Sequence, residues 1–130
     1  MVSDATRIVL GMGSSSGVSL EELVSLADSV LAGAGATKPD MIATLDTKQS
    51  EPVWLALAEH YGCSLRFFAA ERLEQETFRI KSPSEAVFAT IGCHGVAESA
   101  ALAAAGPEAF LRVEKTSGGR VTAALAVTRV

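Results

Sequence analysis

Apolar residues in this chain fall into short unbroken runs and into stripes of helical spacing, and the two kinds alternate. Residues 7–12, RIVLGM, form a run that stops at a glycine cluster, which predicts a strand buried on both faces. Leu20, Leu23, Val24, Ala27, Val30, Leu31 and Ala34 then recur at the period of a helix. Ser19 with Glu22 three residues on is a capping box that starts this helix, and the glycines at 33 and 35 end it. Residues 41–45, MIATL, predict a second strand. Ser50 is expected to open a second helix, with Val53, Trp54, Leu57, Ala58 and Tyr61 on one face and Gly62 as its stop. Residues 65–69, LRFFA, predict a third strand. The order is then β-α-β-α-β, with crossovers long enough for parallel, right-handed connections.

The second half reads differently. Residues 70–81 are a polar stretch with no predicted element. Ser82-Pro83-Ser84-Glu85 predicts a helix start, with proline in the first turn and Glu85 completing a capping box. Gly92 and Gly95 break that short helix, and residues 96–105 form an alanine-rich helix ended by Gly106-Pro107, whose small face allows close packing on a sheet. Residues 110–113 and 121–127 predict two strands joined through residues 115–120, where Gly118-Gly119 favours a tight antiparallel link. The expected architecture is a three-layer α/β/α fold, with a mostly parallel sheet of about five strands and a C-terminal antiparallel hairpin. At 130 residues, a single domain over residues 1–130 with one hydrophobic core is expected.

Composition removes several classes of function. The chain is 48% hydrophobic and 20% charged, which excludes intrinsic disorder. A net charge of −4 with dispersed lysines and arginines argues against nucleic-acid binding. No run approaches the ~20 apolar residues of a membrane span, and the N-terminus lacks the pattern of a signal peptide. A soluble, cytoplasmic protein is expected, with Cys63 and Cys93 as reduced thiols.

In an open α/β sheet, ligands bind beyond the carboxyl ends of the parallel strands. Three segments fall there: residues 11–17 (GMGSSSG), residues 46–51 (DTKQSE) and residues 69–72 (AAER). In the first, Gly11, Gly13, Ser14, Ser15, Ser16 and Gly17 precede a helix. Backbone N–H groups and hydroxyls there suit a carboxylate, a phosphate or a developing oxyanion; alternatively, the glycines simply turn the chain. The spacing is neither a dinucleotide fingerprint nor a P-loop, and no cofactor is expected. In the second, Asp46 and Glu51 beside Lys48 suit a general base and an anion-steering cation, or else they cap the following helix. His60 and Cys63, with Cys93 and His94, are the only residues resembling metal ligands. Adjacent residues rarely share one ion and Cys63 lies past a helix stop, so no metal site is expected.

Taken in order, GMGSSSGVS, ATLDTKQSEP, LRFFAAERL, SPSE, GVAESAAL and KTSGGRVTAALA resemble the CobE/CbiG C-terminal domain family of cobalamin biosynthesis over nearly the whole chain. The resemblance implies a role in building the corrin ring. One implied activity is that of a cobalt-precorrin-5A hydrolase, which opens a lactone and releases acetaldehyde. The length is that of a standalone CobE-like domain. Thr44, Asp46, Lys48, Glu51, Glu71, Glu98 and Lys115 match the family, whereas Ser14, Ser15 and Ser16 stand where relatives often carry a basic pair. Two functions follow. A binding protein would hold a polycarboxylated precorrin in an apolar cleft rimmed by donors such as Lys48, Lys115, Arg72 and the serine loop, and would assist other cobalamin-pathway enzymes. A hydrolase would use Asp46 or Glu51 to activate water, with the N–H groups of residues 13–17 as oxyanion donors.

Overall fold

The computed structural model describes residues 6–129. Strands β1 (Thr6–Ser14), β2 (Met41–Leu45) and β3 (Ser64–Phe68) are parallel, and β4 (Phe110–Gly118) and β5 (Val121–Arg129) form the antiparallel C-terminal pair. The spatial order is β3-β2-β1-β5-β4. Strand β1 runs two residues past its apolar run because β5 pairs with it along its whole length, from Thr6 opposite Arg129 to Ser14 opposite Val121. Gly13 and Ser14 are therefore strand residues rather than loop. Lys115 likewise lies within β4, and the hairpin turn shrinks to Gly119, at φ +60°, and Arg120.

Helix α1 (Leu20–Gly33) starts as its sequence predicts: Ser19 Oγ accepts from the Glu22 N–H and Glu22 Oε1 from the Ser19 N–H, both at 3.1 Å. The next two starts differ. A 3₁₀ turn over Asp46–Ser50 precedes α2 (Pro52–Tyr61), so Glu51 rather than Ser50 is the capping position and Pro52 opens the helix. For α4 (Glu85–Ile91) the cap is Ser84, whose Oγ accepts from the Val87 N–H at 3.2 Å. Ser82 cannot cap, because its own N–H and hydroxyl are bonded to Glu98. The polar stretch after β3 contains α3 (Ala70–Glu74) and a 3₁₀ turn over Thr77–Arg79. Charge holds these together: buried Glu76 pairs with Arg72 at 2.7 Å and Arg79 at 2.6 Å.

The sheet divides the apolar interior into two layers rather than one core. Leu10, Met12, Ile42 and Leu125 meet α1 and α2 through Leu23, Leu31, Trp54 and Leu57. Val9, Ala43 and Ala126 meet α5 (Ala97–Ala105) and α3 on the other side. Every residue of α5 is buried. Its alanines let the helix lie on β1 so closely that a Cβ on Gly11 would sit 2.0 Å from the Ala97 carbonyl oxygen. Cys63 packs against the first layer and Cys93 lies in the second, so the sheet separates the two thiols. Among the described residues no three His, Cys, Asp or Glu side chains gather where a metal ion would fit, and no helix is long and apolar enough to cross a membrane.

Candidate functional site

A cleft of about 600 Å³ opens beyond the carboxyl ends of β1 and β2. Its floor is Gly13 and Val96, where α5 meets the sheet. Ser14, Ser15 and Ser16 form one wall, and Lys48 with Thr47 the next. Helix α4 supplies Val87, Thr90 and Ile91, and the β4–β5 hairpin supplies Lys115, Ser117, Arg120 and Thr122. Leu45, Val87, Ile91, Val96 and Val121 give it an apolar lining, interrupted by hydroxyls, three cations, His94 and the Glu98 carboxylate.

Seven of the sequence candidates line this cleft: Gly13, Ser14, Ser15, Ser16, Lys48, Glu98 and Lys115. The others do not. Gly11 lies beneath α5, where its missing side chain serves packing. Gly17 turns the chain at φ +81°. Glu51 accepts from the Gly17 N–H at 3.5 Å and from Lys48 Nζ at 3.4 Å, which ties the serine loop to the 3₁₀ turn. Asp46 is exposed in that turn, and Glu71 is exposed on α3. Arg72 is occupied by Glu76 rather than rimming the cleft. Thr44 is buried and donates to the Met12 carbonyl at 2.7 Å, joining β2 to β1.

Lys48 is only 8% exposed, with the Glu51 carboxylate as its ion-pair partner at 3.4 Å. A long ion pair at a cleft wall leaves the ammonium's other donors available to an anion. The N-terminus of α5 also borders the cleft and has no side-chain cap, so first-turn N–H groups add to this positive potential. On the opposite rim, His94 Nδ1 lies 2.8 Å from Glu74 and Nε2 lies 3.2 Å from Glu85, while Phe88 stacks on its ring at 4.4 Å. These contacts attach α4, which buries none of its residues, to the body of the domain.

Arg120 was legible only as part of a connector, yet it closes the rim. Its guanidinium binds Glu22 at 2.7 and 3.1 Å and the Gly17 carbonyl at 3.3 Å, and the Arg120 carbonyl accepts from the Ser15 N–H at 3.1 Å. The Arg120 hydrogen bond, followed by that of the Ser19 backbone, holds the Glu22 carboxyl down at about 2 against the usual 4.5. A depressed carboxyl stabilises the fold above its unfolded value and loses that contribution as pH falls from 4.5 towards about 2. Both side chains face water, so the effect is small and salt-sensitive. Urea midpoints should therefore fall less steeply over this acid window in Arg120→Ala than in the unsubstituted protein; parallel slopes would remove Glu22 as the titrating group.

The fold is thus an α/β domain whose cleft, mixing donors with apolar surface, lies where the sheet switches from parallel to antiparallel strands. Residues 8–126 match the family described as cobalamin synthesis G C-terminus. The chain is 46% identical over 121 residues to Protein CobE of Sinorhizobium sp, covering 92% of this chain and 79% of that protein. It is 29% identical over 113 residues to a cobalt-precorrin-5A hydrolase of Priestia megaterium, covering 85% of this chain but only 30% of the hydrolase. The crystal structure of CobE, a protein from the cobalamin (vitamin B12) biosynthetic pathway, superposes with a TM-score of 0.88 at 34% identity, covering 95% of this chain and 94% of that one. The chain belongs to the CobE/CbiG C-terminal family of cobalamin biosynthesis.

Proposed function

We propose that the cleft binds a corrin-ring intermediate and that the protein carries it or presents it to other enzymes of cobalamin biosynthesis. The observation that carries this reading is the pairing, in one cleft, of an apolar wall with buried Lys48, Lys115, a serine loop and an uncapped helix N-terminus. A precorrin has a flat apolar ring with acetate and propionate arms, and such a ligand needs both surfaces at once. The ring edge lies against Val87 and Ile91 of α4, and carboxylates meet Lys48 and the α5 N-terminus. The free thiols Cys63 and Cys93 suit a reducing cytoplasm.

A hydrolase reading uses Asp46 or Glu51 as base. Neither lines the cleft, and both Glu51 oxygens are engaged, so this reading has less support. The test is an absorbance titration with hydrogenobyrinic acid, with co-elution in gel filtration and an assay for acetaldehyde. The protein is expected to retain pigment unchanged. Lys48→Met, which keeps the stem and removes the cation, should weaken binding roughly tenfold or more, and Asp46→Asn should leave it unaltered. Absence of pigment binding would sink the carrier reading, and acetaldehyde release lost in Asp46→Asn would replace it with the hydrolase.

A further inference from the structure

Two carboxylates are buried among the described residues, and they are satisfied in different ways. Glu76 is paired with arginines. Glu98, 2% exposed at the second position of α5, has no ion pair among the described residues. Its Oε1 accepts from the N–H groups of Lys81 and Ser82, both at 2.9 Å. Its Oε2 accepts from the Lys115 N–H at 2.8 Å and the Ser82 hydroxyl at 3.3 Å. Burying a carboxylate is costly unless its oxygens are filled by donors, and here backbone groups fill them.

The donors come from opposite sides of the cleft. Lys81 and Ser82 belong to the strap that leads into α4, which supplies the apolar wall. Lys115 belongs to β4, where the register shifts between Val113 and Thr116. A bulge leaves its extra residue unpaired with the neighbouring strand, and Glu98 accepts the N–H of Lys115 at that point. The bulge is therefore built around the carboxylate, and the Lys115 side chain reaches the cleft from it.

We infer that Glu98 is a positioning residue that clamps the α4 strap and the Lys115 bulge at a fixed separation, setting the width of the cleft. The binding consequence rests on the corrinoid reading above, whereas the clamp does not. Replacing Glu98 by Gln preserves shape but turns one acceptor oxygen into a donor, so at least one wall must release. The experiment is amide hydrogen exchange of the ligand-free protein, unsubstituted and as Glu98→Gln, followed by hydrogenobyrinic acid titration of Glu98→Gln, Lys115→Ala and the double variant.

Exchange should accelerate roughly tenfold or more at one or both clamped segments, residues 81–82 and 115, while α1 and α2 are unchanged. Binding should weaken by a similar factor, and the effects of Glu98→Gln and Lys115→Ala should be less than additive, because the first already displaces what the second removes. Unchanged exchange at both segments overturns the clamp. Faster exchange with undiminished affinity overturns its role in setting the cleft. If the unsubstituted protein binds no corrinoid, the reading of the ligand fails and the exchange data alone decide the clamp. Should Glu98→Gln not fold, Glu98→Asp, which keeps the charge but is one methylene shorter, is read at the same amides.

Discussion

Gly11→Ala is expected to destabilise the domain by about 3 kcal/mol or more, far beyond the usual cost of a surface glycine substitution. The added Cβ would lie 2.0 Å from the Ala97 carbonyl oxygen and 2.6 Å from the Ala101 amide nitrogen. Both atoms are backbone, so no rotamer change relieves the overlap. Helix α5 must move off β1, and in doing so it loosens the layer that contains Leu102, Ala101 and Ala126. Because α5 begins at the cleft floor, the shift also disturbs the site. Gly33→Ala is the control. Its Cβ would meet only Val113 Cγ2 at 3.9 Å, and Gly33 is a residue of α1 itself without a positive φ, where alanine is the better helix former, so its stability should be equal or slightly higher. Urea unfolding of both variants checks the pair. A Gly11→Ala midpoint close to that of the unsubstituted protein would mean that α5 does not touch β1 as described.

Arg79→Ala is expected to cost about 3 to 5 kcal/mol, the range for breaking one partner of a buried ion pair. Its guanidinium binds Glu76 through Nε at 2.8 Å and Nη2 at 2.6 Å. It also donates to the carbonyls of Leu102, Gly106, Pro107 and Ala109 at 3.1 to 3.3 Å, closing the C-terminal end of α5. Removing it leaves Glu76, 5% exposed, with Arg72 as its remaining cation, and withdraws the side-chain donor shared by four carbonyls at and beyond the end of α5, of which Leu102 and Gly106 keep backbone partners. Arg79→Lys should recover only part of the loss, since an ammonium cannot reproduce the planar fork. Thermal melts of the three proteins decide this: full rescue by lysine would show that charge alone matters, and a loss near zero would show the pair to be dispensable. The site lies away from the cleft, so corrinoid binding by any folded fraction should be unchanged.

The two predictions mark where local pattern was informative and where it was not. The α1 capping box, the three parallel strands and the C-terminal hairpin were legible because period, caps and turn glycines are short-range signals. Helix α3 was not, since its five residues carry a single buried apolar side chain, Leu73, and its anchor is the ion-pair cluster with Arg79. The start of α4 was misplaced by two residues, because Ser82 is taken by Glu98, sixteen residues further on.

At the site, the serine loop, Lys48 and Lys115 were visible as donors near strand ends or in the family pattern, and the cleft brings them together. Asp46, Glu51 and Glu71 share the same sequence neighbourhoods but do not line it, since a 3₁₀ turn and a short helix set their directions independently of strand order. Arg120 and the α4 residues entered only through long-range pairing. The sequence by itself determined the type of most elements and the parallel direction of the first three strands, which rest on spacing between near neighbours, and the order of its motifs along the chain carried the family resemblance. Only the tertiary structure decided which donors face one cleft and what Glu98 holds, because those contacts join segments far apart in the chain through β5 pairing on β1 and α5 crossing beneath both.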